Sequence, residues 1–398
     1  MIPQYAGHIT IFYENGKTIT DPLWNKNGSS VPMNYYSPGS SRLLLTMKSA
    51  RIIRTNEPLL VEEVAVPRPK YDQVLVRVQS AGVCHSDLHL WEGGYVGPGG
   101  SFMKVEDRGV RFPLTPGHEV AGTIEDVGES VTGYQRGEKV LVYPWIGEGL
   151  CSACRVGEEH LCDSPRTLGI YQDGGYSQFI LIPSYKYLIR MDGLGTESSA
   201  SLACSGLTAY TAVKKTQVQA GDTMVIVGAG GLGLMAVQIA KAITNSRIII
   251  VDINDNKLKE AKQLGADEAI NSLSTNPSDT VKEITSGVGS EAVIDFVNNT
   301  KTAPASINML RKRGKLVLVG LFGGSLDLNL ALIPLRAYTL TGAYTGKFAD
   351  LVELVALAKT GKIQSVVSKR FTLDQANQAL GDLKSGKIIG RAVLNPEN

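Results

Sequence analysis

The chain has 398 residues, enough for two or three domains at roughly 150 residues each, and 43% of it is hydrophobic, which can fill real cores. Forty basic residues against 38 acidic ones leave a formal charge of +2 with no basic arm or polybasic run. That excludes a nucleic-acid or anionic-membrane surface and leaves a small molecule as the expected partner. Five cysteines are too few and too local for a disulfide scaffold, and no basic segment leads into an apolar one at the N-terminus, so a cytoplasmic protein is expected.

Residues 1–46 are rich in Asn, Ser, Gly, Pro and Tyr without a sustained period, and are read as an appendage. From Met47 short apolar runs such as "QVLVRVQSAGV", "VAGTIEDVG" and "EKVLVYP" alternate with Gly and Pro turns, predicting a mostly antiparallel, barrel-like domain. After a helix at "ASLACSGLTAYTAV", strands and helices alternate: "TMVIVG", "LGLMAVQIAKAI", "RIIIVDI", "DNKLKEAKQLG", "EAVIDFV", "INMLRKRG" as a helix, "KLVLVGL" and "YTLTGAY". This is the pattern of a doubly wound parallel sheet, so the fold class is α/β with a second, β-rich domain. Two helices and a closing strand, "RAVLNP", are free to rejoin the first domain. The predicted division is 1–46 as an extension, 47–206 plus 344–398 as the β-rich domain, and 207–343 as the α/β domain. Thr223–Ala240 is uncharged for 18 residues, but its glycines argue against a membrane span.

Within the alternating region "VIVGAGGLG" sets Gly228, Gly230 and Gly233 in G-x-G-x-x-G order between a strand and a helix. "IIIVD" ends nineteen residues later at Asp252, where a second strand would present an acid to an adenosine ribose. The glycines permit a tight turn and let a pyrophosphate approach the free N–H groups of the helix N-terminus. Asp252 would repel a 2′-phosphate, and "DINDN" supplies no arginine after it, so NAD is expected over NADP.

The metal-ligating residue types are gathered at "AGVCHSDLH" (Cys84, His85, Ser86, Asp87, His89), "PGHEVAG" (His118, Glu119) and "LACSG" (Cys204). Two thiolates and one imidazole balance the charge of a zinc ion and leave a fourth position open, as in a catalytic site. Spacing alone does not gather 84, 118 and 204. A second group lies in "GEGLCSACRVGEEHLCDSP", residues 147–165, with three cysteines at gaps of two and seven. A redox C-x-x-C pair is the alternative for Cys151 and Cys154.

From Met47 onward, "GVCHSD", "GHEVAGTIEDVG", the cysteine lobe, the glycine motif and "GRAV" resemble, in order, the zinc-containing alcohol dehydrogenases of the medium-chain dehydrogenase/reductase superfamily. The lobe is similar to that of archaeal NAD-dependent members, which have Glu where others have a first cysteine. The resemblance implies a GroES-like catalytic domain and a Rossmann domain, two zinc ions per chain, NAD, and reversible oxidation of primary or secondary alcohols to aldehydes or ketones by hydride transfer. It makes Cys84, His118 and Cys204 the catalytic zinc ligands, with Glu119 an occasional fourth. Glu148, Cys151, Cys154 and Cys162 become a closed structural site. Asp87 would orient His118; Ser86 and His89 would pass a proton; His85 and Arg391 would touch the pyrophosphate and Lys257 the ribose; Trp145 and Leu321 would line the substrate pocket. A homo-oligomer is implied, a tetramer ahead of a dimer.

The 46-residue extension has no counterpart in that pattern and is read as an over-long gene start, ahead of a flexible arm or a subunit contact. Glu148 puts a hard oxygen into an otherwise sulfur site. The alternative on the same scaffold is a polyol or sugar dehydrogenase, distinguishable by a preference for vicinal diols. A catalytically idle NAD-binding protein or a zinc-free quinone reductase would lack a ligand, and here every motif position is filled.

Overall fold

The computed structural model of the chain describes residues 8–12, 18–22, 45–97 and 100–397. Its catalytic half is built on a seven-stranded sheet. Along one path lie Leu188–Arg190, Lys139–Val142, Glu119–Val127, Val74–Val83, Arg391–Asn395 and Val367–Thr372, and Phe179–Ile182 adds to the other part of Val74–Val83. All but the last pair on the path are antiparallel. Val74–Val83 is buried along most of its length, as a central strand flanked on both edges must be.

The second half is a six-stranded parallel sheet ordered Glu268–Asn271, Arg247–Asp252, Thr223–Val227, Ser290–Asp295, Leu310–Leu318 and Thr339–Gly342. Strands such as "TMVIV" and "RIIIVD" are nearly continuous apolar runs because helices cover both faces. One core cluster runs from the catalytic sheet through to one face of the parallel sheet; a second fills the opposite face, around Val225, Ile249, Val293 and Leu316. The helices Ser205–Thr216 and Phe348–Lys359 pack on each other where the chain enters and leaves the Rossmann half. The closing strand then returns to the catalytic sheet, with Ala392 opposite Val83.

Several expectations change. "INMLRKRG" is not a helix: the helix Thr302–Asn308 ends at its second residue, and Leu310–Leu318 is a strand. The register between this strand and Ser290–Asp295 slips, with Arg313 at φ +63° within the irregular stretch. Such a bulge disguises a strand as a non-alternating pattern. The strand Glu268–Asn271, the helix Pro277–Ile284 and the strand Val367–Thr372 were not anticipated. The β-rich half begins before Met47, because Thr46 opens a strand paired with Leu60–Ala65 and the Leu45 carbonyl accepts from Val66 N. The predicted division after residue 206 falls inside the helix Ser205–Thr216. In the extension, His8–Phe12 pairs antiparallel with Thr18–Pro22; the rest of residues 1–46 up to Ser41 and beyond to Leu44 lies outside the described residues. No helix among the described residues is long and apolar enough to cross a membrane.

Candidate active site

Cys84 ends the central strand Val74–Val83 and caps the helix His85–Glu92. Its backbone N–H donates to Asp87 Oδ2 at 2.9 Å, a reciprocal cap that fixes the thiol at the strand–helix corner. His118 precedes the neighbouring strand, and Cys204 precedes the helix Ser205–Thr216. Their donor atoms converge: Cys84 Sγ lies 4.0 Å from Cys204 Sγ, and His118 Nε2 lies 3.2 Å from Cys204 Sγ. With a Glu119 oxygen, one ligand atom from each of the four falls within 4.8 Å of the others, and all four residues are buried.

The residues around this cluster hold it in place. Asp87, fully buried, approaches His118 Nδ1 to 3.4 Å and accepts from Gly117 N and from the Tyr176 hydroxyl, at 3.2 and 3.1 Å. Burial works against a charged His118, but Asp87 beside it carries its pKa well above the ordinary value. Glu119 lies opposite Gly82 in the ladder, where any Cβ would sit 2.0 Å from its Oε2. The glycine therefore makes the space into which the carboxylate folds. Glu119 Oε1 accepts from Arg391 Nη2 at 2.9 Å, while its buried Oε2 has no partner. Burial pushes its carboxyl up to about 7 against the pull of Arg391. Two thiols, an imidazole and an unpartnered carboxylate oxygen, all buried and aimed at one point, fit a zinc ion.

Arg391 was expected at a pyrophosphate. It is 3% exposed, bonded to Glu119 and, through Nε, to Ser205 Oγ at 3.3 Å. It also abuts the glycine-turn helix, since a Cβ on Gly231 would lie 3.1 Å from its Cζ. One guanidinium thus borders both the metal cluster and the helix N-terminus.

That turn has the required geometry. Gly228 sits at φ +96°, and a Cβ on Gly233 would lie 1.8 Å from the Gly228 carbonyl oxygen. Gly230 caps the helix Gly231–Ile243 without any side-chain bond, leaving the first N–H groups open to an anion. Asp252 ends the neighbouring strand; its Oδ2 accepts from Ala229 N at 2.6 Å and its Oδ1 from Ile253 N and Asn254 N. Lys257 stands half-buried in the next helix. Across the cleft, the exposed His85 ring lies 5.9 Å from Phe322, which follows Leu321 in a loop of the parallel domain.

Ser86 Oγ is 4.0 Å from Cys84 Sγ, whereas the His89 ring lies 4.5 Å from Tyr95 and bonds to no atom of Ser86 among the described residues. Burial lowers the His89 pKa, so its ring is a neutral proton acceptor near neutral pH. Trp145 is 2% exposed, donates to the Ala203 carbonyl at 2.8 Å and places its ring 5.4 Å from His118. Leu321, by contrast, is 45% exposed, and no described contact joins it to Trp145.

In the lobe, Glu148 and the three cysteines again bring one ligand atom each within 4.8 Å of the others. Cys151 and Cys162 sulfurs are 3.8 Å apart, and Glu148 Oε1 accepts from Cys151 N at 2.5 Å. Backbone N–H groups of Cys154, Glu148 and Ser164 point at the sulfurs of Cys151 and Cys162, and the bond from Cys154 N lowers the Cys151 pKa. A Cβ on Gly147 would lie 2.4 Å from Cys154 Sγ, so the loop closes on the cluster only with glycine there. All five cysteines are unpaired by disulfide, and the four-donor lobe fits a structural zinc rather than a redox pair.

Sequence reasoning missed Gly82, Tyr176 and Gly231, whose roles exist only once strands are paired. Comparison with known proteins agrees with this architecture. Residues 70–193 match the alcohol dehydrogenase GroES-like domain and residues 231–360 the zinc-binding dehydrogenase domain. An NAD-dependent alcohol dehydrogenase of Sulfurisphaera tokodaii is 45% identical over 351 residues, 88% of this chain and all of that protein. The crystal structure of the alcohol dehydrogenase from Aeropyrum pernix superposes with a TM-score of 0.80 at 36% identity, over 88% of this chain and all of that one. A D-arabinose 1-dehydrogenase (NADP(+)) of Saccharolobus solfataricus is 32% identical over 89% of this chain and 99% of its own length. The chain belongs to the zinc-containing alcohol dehydrogenases of the medium-chain dehydrogenase/reductase superfamily.

Proposed function

We infer that the chain oxidises primary or secondary alcohols reversibly to aldehydes or ketones, with NAD as hydride acceptor. The observation that carries this reading is the buried meeting of Cys84, His118 and Cys204 at the cleft that also holds the Gly228–Gly233 turn. Cys84, His118 and Cys204 would hold the catalytic zinc; Glu148, Cys151, Cys154 and Cys162 would hold the structural one. The catalytic zinc supplies Lewis acidity toward the substrate oxygen. Asp87 holds the His118 ring, and Arg391 Nη2 holds one Glu119 oxygen while lying 3.8 Å from Cys84 Sγ. The free N–H groups at Gly231 would take the pyrophosphate with help from His85 and Arg391, and Asp252 with Lys257 would take the ribose. Trp145 would form the floor of the substrate pocket, with Leu321 near its mouth.

Ser86 would receive the substrate proton and His89 release it, a route supported by the nearness of Ser86 to Cys84 and the lowered His89 pKa. A neutral imidazole works as a base above its own pKa and is lost below it. His89→Ala should therefore slow alcohol oxidation up to about tenfold in the window above that pKa where hydroxide is scarce, with partial recovery in imidazole buffer. A pH profile identical to the parent's removes His89 from the route.

A cytoplasmic location and a homo-oligomer, tetramer ahead of dimer, complete the reading. Two thiol clusters without a disulfide support the first. Support for the second comes from exposed apolar side chains: Leu150, Val156 and Leu161 on the lobe, and Leu330 and Leu335 beside the outer parallel strand. The decisive assay combines metal analysis with initial rates on simple alcohols with NAD and with NADP. Two zinc ions per chain and NAD-dependent turnover are expected; fewer zinc ions, or no turnover of any alcohol, overturns the reading.

A further inference from the structure

The surroundings of the thiol cluster carry more hydroxyl groups than an alkyl substrate needs. Tyr143, Tyr176, Tyr187 and Tyr210 each donate their hydroxyl to a protein oxygen. Tyr95, Tyr171 and Tyr344 form no hydroxyl bond among the described residues. These three come from separate parts of the chain. Tyr95 follows the Cys84 helix in the strand Gly94–Val96, with its ring 4.5 Å from His89. Tyr171 stands in the turn fixed by its N–H to the Thr167 carbonyl, and that turn packs on Gly117 and His118, where a Cβ on Gly169 would lie 2.9 Å from His118 N. Tyr344 follows the last parallel strand and sets its ring edge-on to Trp145 at 5.9 Å, and Trp145 in turn faces His118 at 5.4 Å.

The ring contacts and the turn at Tyr171 set all three around the cluster, and their electrostatics agree: Tyr344 feels Tyr95, Cys204 and Tyr171, and Tyr95 feels Cys84 and Tyr171. Burial pushes Tyr95 up to about 12. Tyr344 is 45% exposed as a residue, yet its hydroxyl end is crowded enough that burial raises it too. Both remain neutral hydroxyls at any working pH, able to donate and accept. The Arg108 guanidinium, 6.0 Å from the Tyr95 ring centre, adds a cation that favours an oxygen over an alkyl group at this wall.

We propose that Tyr95, Tyr171 and Tyr344 form a polar wall beside the Cys84–His118–Cys204 cluster that selects alcohols carrying a second oxygen function over unsubstituted alkyl alcohols. The proposal rests on the alcohol dehydrogenase reading and sharpens its substrate class. The chemistry is unchanged: a hydride leaves one carbinol carbon for NAD, its hydroxyl proton leaves for solvent, and the second oxygen only binds. Phenolic hydroxyls left unpaired by an alkyl chain lose their water without replacement, which is the source of the discrimination.

The test uses the full-length zinc-loaded enzyme with NAD and a matched pair, 1-hexanol and 1,6-hexanediol. The diol carries a roughly twofold statistical advantage, and an apolar pocket would more than cancel it by preferring the alkyl chain. A diol-to-alkanol ratio of kcat/KM about tenfold above the statistical value is expected, the discrimination of one well-made neutral hydrogen bond. Tyr344→Phe and Tyr95→Phe should each lower that ratio several-fold, mainly through the diol KM, with melting temperatures verifying that the variants fold. A parent ratio at or below the statistical value overturns the proposal while leaving the dehydrogenase reading intact, as does a ratio that neither substitution moves. Failure to oxidise either alcohol overturns the dehydrogenase reading, and the proposal with it.

Discussion

The molecule holds two thiol-rich clusters built on opposite plans. The lobe's four donors lie within residues 148–162, two of them, Glu148 and Cys151, only half-buried, in a loop whose own backbone N–H groups serve the sulfurs. The active-site donors come from three places up to 120 residues apart, are fully buried, and are aligned by strand pairing and by Asp87. Apart from contacts such as Tyr187 to Glu159 and Lys347 to Glu158, a loop of that kind leans on what it binds, so a metal there is expected to contribute folding energy. The dispersed cluster is assembled by two domains' cores, so a metal there is expected to contribute chemistry, with the fold surviving its loss.

The sharpest way to break that contrast is to remove one sulfur from each. Cys204→Ser should reduce turnover by a factor of about 10³ or more, with NAD binding and melting temperature nearly kept. Cys154→Ser should do the reverse in kind, lowering the melting temperature by several degrees while the surviving folded fraction still turns over. Equal thermal losses in the two variants would show that both clusters are structural.

The next effect tests the dispersed plan where it meets the coenzyme. Asp252 presents its carboxylate at the glycine turn, and a charge-assisted bond to a ribose hydroxyl contributes about 1.5–3 kcal/mol. Asp252→Gly should weaken NAD about 10- to 100-fold and narrow its advantage over NADP. Titration of both coenzymes checks this; equal affinities in the parent would refute the assignment.

What could be read from the sequence divides along the same line as the two clusters. The lobe's cysteines and the glycine turn are local, so they announce themselves by spacing, although Glu148 as their fourth partner came through the family resemblance; Gly228, Gly233 and Asp252 form the turn beside the strand end. The dispersed cluster was reachable through a family resemblance, because nothing in the spacing of Cys84, His118 and Cys204 predicts strand register. For the same reason Gly82 was invisible: its small size matters only because Glu119 lies opposite it. Tyr176 reaches Asp87 from 89 residues away, and Arg391 reaches Glu119 from 272. The helix expected at "INMLRKRG" failed for a related reason, since a bulged strand paired on both sides carries no clean period of two. The three unpartnered tyrosines carry no motif at all.

A smaller effect probes the outer support of the buried cluster. The Tyr176 hydroxyl donates to Asp87, which borders His118, and the lobe has no comparable distant partner for its sulfurs. Tyr176→Phe keeps the ring that packs against Gly117 and removes only the hydroxyl. The catalytic zinc should then be lost to a competing chelator about tenfold more readily, at the lower end of what such supporting bonds contribute, with the lobe zinc unaffected. Equal loss of both ions would mean that chelator access, and not the support of His118, sets retention.

The smallest expected effect concerns the one hard ligand in the lobe. Glu148 accepts from Cys151 N with the same oxygen that lies 4.0 Å from Cys162 Sγ, so the carboxylate serves both as a turn cap and as the fourth donor. Glu148→Cys would complete a four-sulfur set, which zinc favours, while losing that cap and leaving the donors' total charge unchanged once all four thiols are ionised. The gain in metal affinity and the loss of the cap, at about 1 kcal/mol, oppose each other. The melting temperature of the zinc-loaded enzyme should therefore shift by only a few degrees, whereas resistance to chelator should rise, because only the metal-bound state gains from the fourth sulfur. Turnover should change little, since the lobe holds no residue assigned to the reaction. A marked fall in both chelator resistance and melting temperature would show that the carboxylate's hold on the loop, rather than its place beside the sulfurs, is what the lobe requires of residue 148.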